Sequence, residues 1–186
     1  GGSSWKYGNP VKFHVGKSSS EVKNTAEEIV EYALSFRGQN LRSLFGDKDW
    51  CTLFVHYCAN YVNNESISRN GFVTGMLREM LDDDYQFILV RDKLWEESEY
   101  CNPTSDEYII NKNYIPQKGD LVFIDNGNHY DGPDHIGFVV SATDALNIVT
   151  VEGNSSNKVS VNTYKNGDYG SIPMYIWGYV RPTYDQ

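Results

Sequence analysis

His135-Ile136-Gly137-Phe138-Val139-Val140-Ser141-Ala142-Thr143-Asp144-Ala145-Leu146-Asn147-Ile148-Val149-Thr150-Val151-Glu152-Gly153-Asn154 reads as an antiparallel hairpin. Two β-branched runs, 136–141 and 148–152, flank a connection over 142–147, short enough to join antiparallel neighbours. With the turn centred near 143–145, His135 falls opposite Glu152 or Asn154. Residues i and i+2 share a face of a strand, so Glu152 and Asn154 point the same way. Ile136, Phe138 and Val140 take the opposite face with Val149 and Val151 and can pack on another layer. The polar set His135, Glu152 and Asn154 thus gathers on one face at one end of the hairpin. A carboxylate or amide beside an imidazole fixes its tautomer and orientation. Gly153 and Asn154 also read as a strand running out into a turn. That reading leaves the glutamate beside the histidine without a reason.

The strand pattern extends to both sides of the hairpin. Runs at 121–124, 159–164 and 175–180 are short, β-branched or aromatic, and separated by Gly, Asn and Asp clusters. A further short strand fits 87–90. Before residue 116 the period is helical. Val22, Ala26, Ile29, Val30, Tyr32 and Ala33 predict a helix to about Phe36, with Ser19 or Ser20 as its cap. In 51–62, Phe54, Tyr57, Cys58 and Tyr61 form an i, i+3, i+4, i+7 stripe, with Asp47 or Asp49 near the N-cap. A third helix fits 71–81, and residues 93–100 read as a helical turn. Helices first and strands afterwards predict an α+β fold: N-terminal helices packed on an antiparallel sheet of five to six strands. Residues 1–20 are polar and Gly/Ser-rich, a tail or linker, and 21–186 read as one domain.

The composition excludes several function classes. The chain has 186 residues, 16 Lys+Arg against 25 Asp+Glu, and a net charge of −9. A protein this acidic lacks the basic face that nucleic acid or an anionic membrane requires, so neither is expected as a partner. At 40% hydrophobic it can build a core. No apolar run approaches the roughly 18 residues of a membrane span. Gly1-Gly2-Ser3-Ser4 reads as a cloning remnant, so the lack of a leader says little about compartment. The 14 tyrosines suit a half-wet cleft or an exposed sheet face.

Cys51, Cys58 and Cys101 are an odd number, so at least one thiol is free. Cys51 lies in the first turn of its helix, where unpaired N–H groups and the positive dipole end favour thiolate, the nucleophilic form. Cys58 lies mid-helix on the apolar stripe, a structural position, and Cys101 sits in a polar loop. A nucleophilic thiolate needs a base. His14 is in the tail. His56 is about 140° around its helix from Cys51 and cannot face it well. His129 is in a Gly/Asn-rich loop. His135, beside Glu152, is the candidate.

The segments Asp49-Trp50-Cys51-Thr52-Leu53-Phe54-Val55, Pro116-Gln117-Lys118-Gly119-Asp120-Leu121-Val122-Phe123-Ile124, Asp134-His135-Ile136-Gly137-Phe138-Val139, Val151-Glu152-Gly153-Asn154-Ser155-Ser156 and Gly178-Tyr179-Val180-Arg181-Pro182 occur in this order. Together they resemble the CHAP domain, the cysteine, histidine-dependent amidohydrolase/peptidase branch of the papain-like NlpC/P60 superfamily, over about residues 21–182. The resemblance implies a papain-like fold and a bacterial or phage peptidoglycan hydrolase. Cys51 would be the nucleophile, His135 the base, Glu152 the third polar residue and Asn154 the fourth.

A calcium-binding family member has an Asp-rich segment before the cysteine. Here only Asp47 and Asp49 remain, and no metal or cofactor is expected. The long polar stretch 126–134 would shape the cleft rim. The expected partner is bacterial peptidoglycan, the location extracellular at the cell wall, and the state monomeric. Targeting domains would lie outside this fragment, because an acidic domain is not held by anionic wall polymers. Two other functions share the scaffold: a catalytically inactive wall-binding module, and an amide acyltransferase.

Overall fold

Alternation along the strands decides how the layers meet. The computed structural model describes Ser18, residues 20–127 and residues 131–186. Four helices come first: α1 (Ala26–Leu34), α2 (Arg42–Phe45), α3 (Cys51–Tyr61) and α4 (Val73–Asp82). Eight strands follow: β1 (Phe87–Leu89), β2 (Tyr108–Ile110), β3 (Leu121–Asp125), β4 (His135–Asp144), β5 (Asn147–Ser155), β6 (Lys158–Lys165), β7 (Asp168–Tyr169) and β8 (Tyr175–Val180). They form one sheet in the order β2-β1-β8-β3-β4-β5-β6-β7.

The sheet separates two apolar clusters. On one side Leu121, Phe123, Ile136, Phe138 and Val151 pack with Ile29, Phe54, Val55 and Cys58 of α1 and α3. On the other, Val122, Ile124, Val139, Ile148, Tyr164, Ile176 and Tyr179 pack together with loop side chains such as Tyr114, Leu146 and Met174. Strand β3 is therefore buried along its whole length, which explains its unbroken apolar run. Its approach carries a buried acid. Asp120 accepts hydrogen bonds from Tyr114 Oη (2.7 Å), Gln117 N (2.9 Å) and Arg181 Nη1 (2.9 Å), tying the start of β3 to the chain leaving β8. Among the described residues no helix is long and apolar enough to cross a membrane.

The hairpin forms, with Phe138 opposite Val151 and Val139 opposite Thr150, but its connection is shorter than 142–147: Ala142 pairs with Ile148 and Asp144 with Asn147, so only Ala145 and Leu146 turn. The strand count of five to six is too low. Two edge strands were missed, and β1 pairs with β2 in parallel, so the sheet is mixed. Strand β2 leaves Ile109 and Ile110 exposed, so it carries no inward alternation. Strand β7 has two residues between Gly167 and Gly170, too few to show a period.

Residues 93–100 form bends with no helix. The Asn102 side chain takes both backbone groups of Ser98, accepting from Ser98 N at Oδ1 (2.9 Å) and donating from Nδ2 to Ser98 O (2.5 Å), a local alternative to helical pairing. Helix α1 begins later than its apolar pattern, at Ala26. Its cap is Thr25, whose Oγ1 accepts from Glu28 N at 3.2 Å. Ser20 does not cap it, and Ser19 lies outside the described residues. Helix α3 has Trp50 at its N-cap with no side-chain cap bond, so neither Asp47 nor Asp49 caps it. Of the twelve described tyrosines five are buried, six half-buried and one exposed. Tyr32 and Tyr61 stack with ring centroids 3.7 Å apart between α1 and α3, and Tyr179 Oη donates to Ala145 O at 2.5 Å.

Candidate active site

Cys51 is the first residue of α3, and its position follows from its neighbours. Trp50 is fully buried and stacks on Phe45, with centroids 5.7 Å apart. Phe54 anchors the same turn against Trp50 and Phe36. Strand β5 presses on this turn at Gly153. A Cβ there would come 2.5 Å from Phe54 Cβ. Only glycine allows that approach, so one close contact couples the helix that carries Cys51 to the strand that carries Glu152.

His135 opens β4, paired with Ile124 of β3. Its Nε2 lies 2.7 Å from Glu152 Oε2. Cys51 is close enough to help lift the same imidazole, and with Nε2 engaged by Glu152, Nδ1 is the nitrogen free to serve the thiol. Gly137 makes room for Glu152, since a Cβ at 137 would meet Glu152 Cγ at 2.6 Å. All three side chains are buried, Cys51 at 5%, His135 at 7% and Glu152 at 1% exposure.

Glu152 is held by four donors. Besides His135, Thr150 Oγ1 and Tyr164 Oη each lie 2.6 Å from Oε1, and Asn162 Nδ2 lies 2.9 Å from Oε2. Burial by itself would push the Glu152 carboxyl up, but His135 and the hydrogen bonds of His135, Thr150 and Tyr164 hold it below its ordinary value. Burial by itself would likewise lower His135. The Glu152 carboxylate and the neighbouring Cys51 outweigh it and lift the imidazole well above its usual range. The raised imidazole is a stronger acceptor for a proton from Cys51, and the lowered carboxyl keeps Glu152 ionised beside it.

Sequence reasoning missed Thr150, Asn162 and Tyr164. Their signal was periodicity: Thr150 and Glu152 are i and i+2 on β5, and Asn162 and Tyr164 are i and i+2 on β6. The register sets Thr150 opposite Asn162. Polar residues at alternate positions on otherwise apolar strands mark one buried polar face.

Asn154 is placed elsewhere. Its Nδ2 donates to Asp49 Oδ1 at 3.2 Å, and its backbone is left-handed at φ 57°. It borders a cavity of about 180 Å³ with His135 and Glu152 but hydrogen-bonds neither. His56 bonds Ile67 O at 3.0 Å, away from Cys51. His14 and His129 lie outside the described residues. All three cysteines are free. Burial pushes the Cys58 thiol well up, and pushes Cys101 up to about 11, so both stay protonated near neutral pH. Among the described residues no three His, Cys, Asp or Glu side chains are grouped to hold a metal ion.

A cleft of about 350 Å³ opens at Cys51, between the start of α4, the loop around residues 98–100 and residues 131–134. A nucleophilic atom, a ring nitrogen beside it and a carboxylate orienting that ring can together carry out acyl transfer. Comparison with curated proteins and with solved structures finds no match. The model of the CHAP domain family matches residues 44–154, which contain Cys51, His135, Glu152 and Asn154 and span more than half of the chain. With that match the chain belongs to the CHAP domain family, a peptidoglycan amidase and peptidase family of papain-like fold.

Proposed function

We propose that this domain hydrolyses an amide bond of peptidoglycan through a covalent acyl-enzyme on Cys51, either as an endopeptidase or as an N-acetylmuramoyl-L-alanine amidase. The observation that carries the reading is the buried His135–Glu152 pair, with Cys51 at the tip of α3 close enough to act on the His135 ring and open to a cleft on its other side. The Cys51 proton passes to His135 Nδ1, and Sγ attacks the carbonyl carbon. The Cys51 backbone N–H, at the helix tip, supports the oxyanion. The tetrahedral adduct collapses as His135 gives its proton to the departing amine, leaving a thioester. His135 then takes a proton from water, hydroxide adds to the thioester, and the acid leaves as Sγ is reprotonated. Glu152 keeps Nε2 engaged throughout, so that Nδ1 serves as the working nitrogen. We place the activity at the bacterial cell wall, outside the cytoplasm.

The test is digestion of purified walls followed by mass spectrometry of the released muropeptides. The wild type is expected to create new amide-cleavage termini. Cys51→Ala and Cys51→Ser are expected to create none while retaining the native circular dichroism spectrum. Cleavage by Cys51→Ala would remove this mechanism.

A further inference from the structure

Strand alternation along β5 would set Asn154 on the face of Glu152, two residues before it. The ladder breaks that alternation just after Glu152. Three steps on β5, from Glu152 to Ser155, face two on β6, from Ser160 to Lys158. One extra residue in a ladder is a bulge, and a bulge re-aims the side chains beside it. Asn154 is left-handed there, and its amide reaches Asp49. Strand β6 keeps its alternation. Asn162, paired with Thr150, therefore lies diagonally across from Glu152, within reach of its carboxylate.

Asn162 meets the carboxylate oxygen that faces the imidazole. Thr150 and Tyr164 both bond Oε1. Oε2 takes His135 Nε2 at 2.7 Å and Asn162 Nδ2 at 2.9 Å. Nδ2 also donates to Ser155 Oγ at 3.0 Å, which uses both of its hydrogens. Turning the amide over would set Oδ1 against an acceptor-only carboxylate, so these partners fix its orientation. Asn162 is 2% exposed, and among the described residues its Oδ1 has no hydrogen-bond partner. A buried amide with an orphaned oxygen is costly, and an apolar side chain of similar shape would avoid that cost. What the position gains from asparagine is the N–H directed at Oε2.

We propose that Asn162, and not Asn154, is the amide that positions Glu152 for His135, with Ser155 as its anchor, while Asn154 ties β5 to Asp49. The proposal rests on the reading of Cys51 and His135 as nucleophile and base. Asn162 touches no reacting atom and acts through the carboxylate. It pins Oε2, so Nε2–H keeps one acceptor and Nδ1 keeps its aim. The titratable groups facing Glu152 are His135 of β4 and Tyr164 of β6.

The test follows kcat/KM against pH on solubilised wall fragments, with urea unfolding to monitor the fold. Asn162→Leu keeps the branched shape and removes the donor. It is expected to move the acid limb upward by about one pH unit, the scale of one hydrogen bond to an ionised group. Ser155→Ala, at a half-buried position, removes the anchor of the amide and is expected to move the limb the same way by less. Added to Asn162→Leu it is expected to move the limb no further, because Ser155 acts through Asn162. Asn154→Ala is expected to leave the limb in place. If Asn162→Leu does not fold, Ser155→Ala decides alone. An unmoved limb in a folded Asn162→Leu protein, an unmoved limb in Ser155→Ala, or a limb that Asn154→Ala moves as far as Asn162→Leu would overturn the inference. Lower activity with an unmoved limb is a packing effect and overturns it too. Failure of the catalytic reading has a different signature: walls that Cys51→Ala still cleaves.

Discussion

Glu152→Gln changes one atom and leaves the side-chain shape intact, so it isolates the charge and its hydrogen-bond sense. The carboxylate now faces four donors: His135 Nε2–H, Thr150 Oγ1–H, Tyr164 Oη–H and Asn162 Nδ2–H. A glutamine offers one acceptor oxygen and one NH₂. If the oxygen keeps Thr150 and Tyr164, the NH₂ points at Asn162 Nδ2 and His135 Nε2, donor against donor. Asn162 is left with an unsatisfied donor. His135 can relieve its own clash only by moving its proton to Nδ1, the nitrogen that must receive the Cys51 proton. The wrong tautomer is expected to lower kcat by about 10³–10⁴-fold, the scale of the corresponding change in other triads. The loss of the buried charge pair and the orphaned donor should cost about 2–4 kcal/mol of stability. For a chain of this size that is a fall of about 5–15 °C in Tm. Muropeptide release rates and urea unfolding at pH 7 measure the two effects. A Glu152→Gln protein within tenfold of wild-type activity would refute the assignment of Glu152 as the group that sets the His135 tautomer.

Tyr164→Phe removes only one donor from Glu152. It should cost about 1.5–3 kcal/mol in urea unfolding and move the acid limb of the kcat/KM–pH profile upward, because the ionised carboxylate loses support; an unmoved acid limb would make Tyr164 a packing residue only. Cys58→Ala leaves a small void on the packed face of α3 and should lower stability by about 1–2 kcal/mol with muropeptide release unchanged. Gly153→Ala drives a Cβ to within 2.5 Å of Phe54 Cβ, which should cost about 1–3 kcal/mol and, by shifting the tip of α3, lower kcat more than it lowers Tm; wild-type kcat in this variant would show that the contact does not position Cys51. The pH dependence of stability has two signs. Glu152, held below its ordinary value, contributes above the ordinary carboxylate range, and that contribution is lost as pH falls through its lowered pKa. His135, lifted above its ordinary value, contributes fully below about 6.5 and loses that contribution as pH rises through its raised pKa. The unfolding free-energy gap between wild type and Glu152→Gln should therefore be widest between these limits, and a gap flat across pH would contradict the coupling.

The hairpin was legible because its residues carry the two-residue period and its polar members break that period at one end. The pattern set His135 opposite Glu152 or Asn154, and the structure joins it to Glu152 at 2.7 Å and not to Asn154. The helix start at Cys51 was legible too, although its cap was misread. Asp47 and Asp49 have capping chemistry, but Asp49 is taken by Asn154, 105 residues away, and local pattern does not see such a partner. The same distance effect hid the cage around Glu152, since Tyr164 and Asn162 reach it only through the β5–β6 register. Edge strands β2 and β7 escaped because pairing with a neighbour, and not burial of a face, defines them. Gly153 and Gly137 read as turn or strand residues in sequence, yet close approaches from Phe54 and Glu152 require them.

The central claim is that His135 activates Cys51, and the rate of alkylation tests it most directly. Native protein treated with iodoacetamide at pH 7 is digested, and each cysteine is followed by mass spectrometry, in wild type and in His135→Ala. Wild type is expected to label at Cys51 ahead of the buried Cys58 and Cys101, and His135→Ala to slow that labelling at least about tenfold. Equal Cys51 rates in the two proteins, or labelling that falls first on Cys58 or Cys101, would contradict the account.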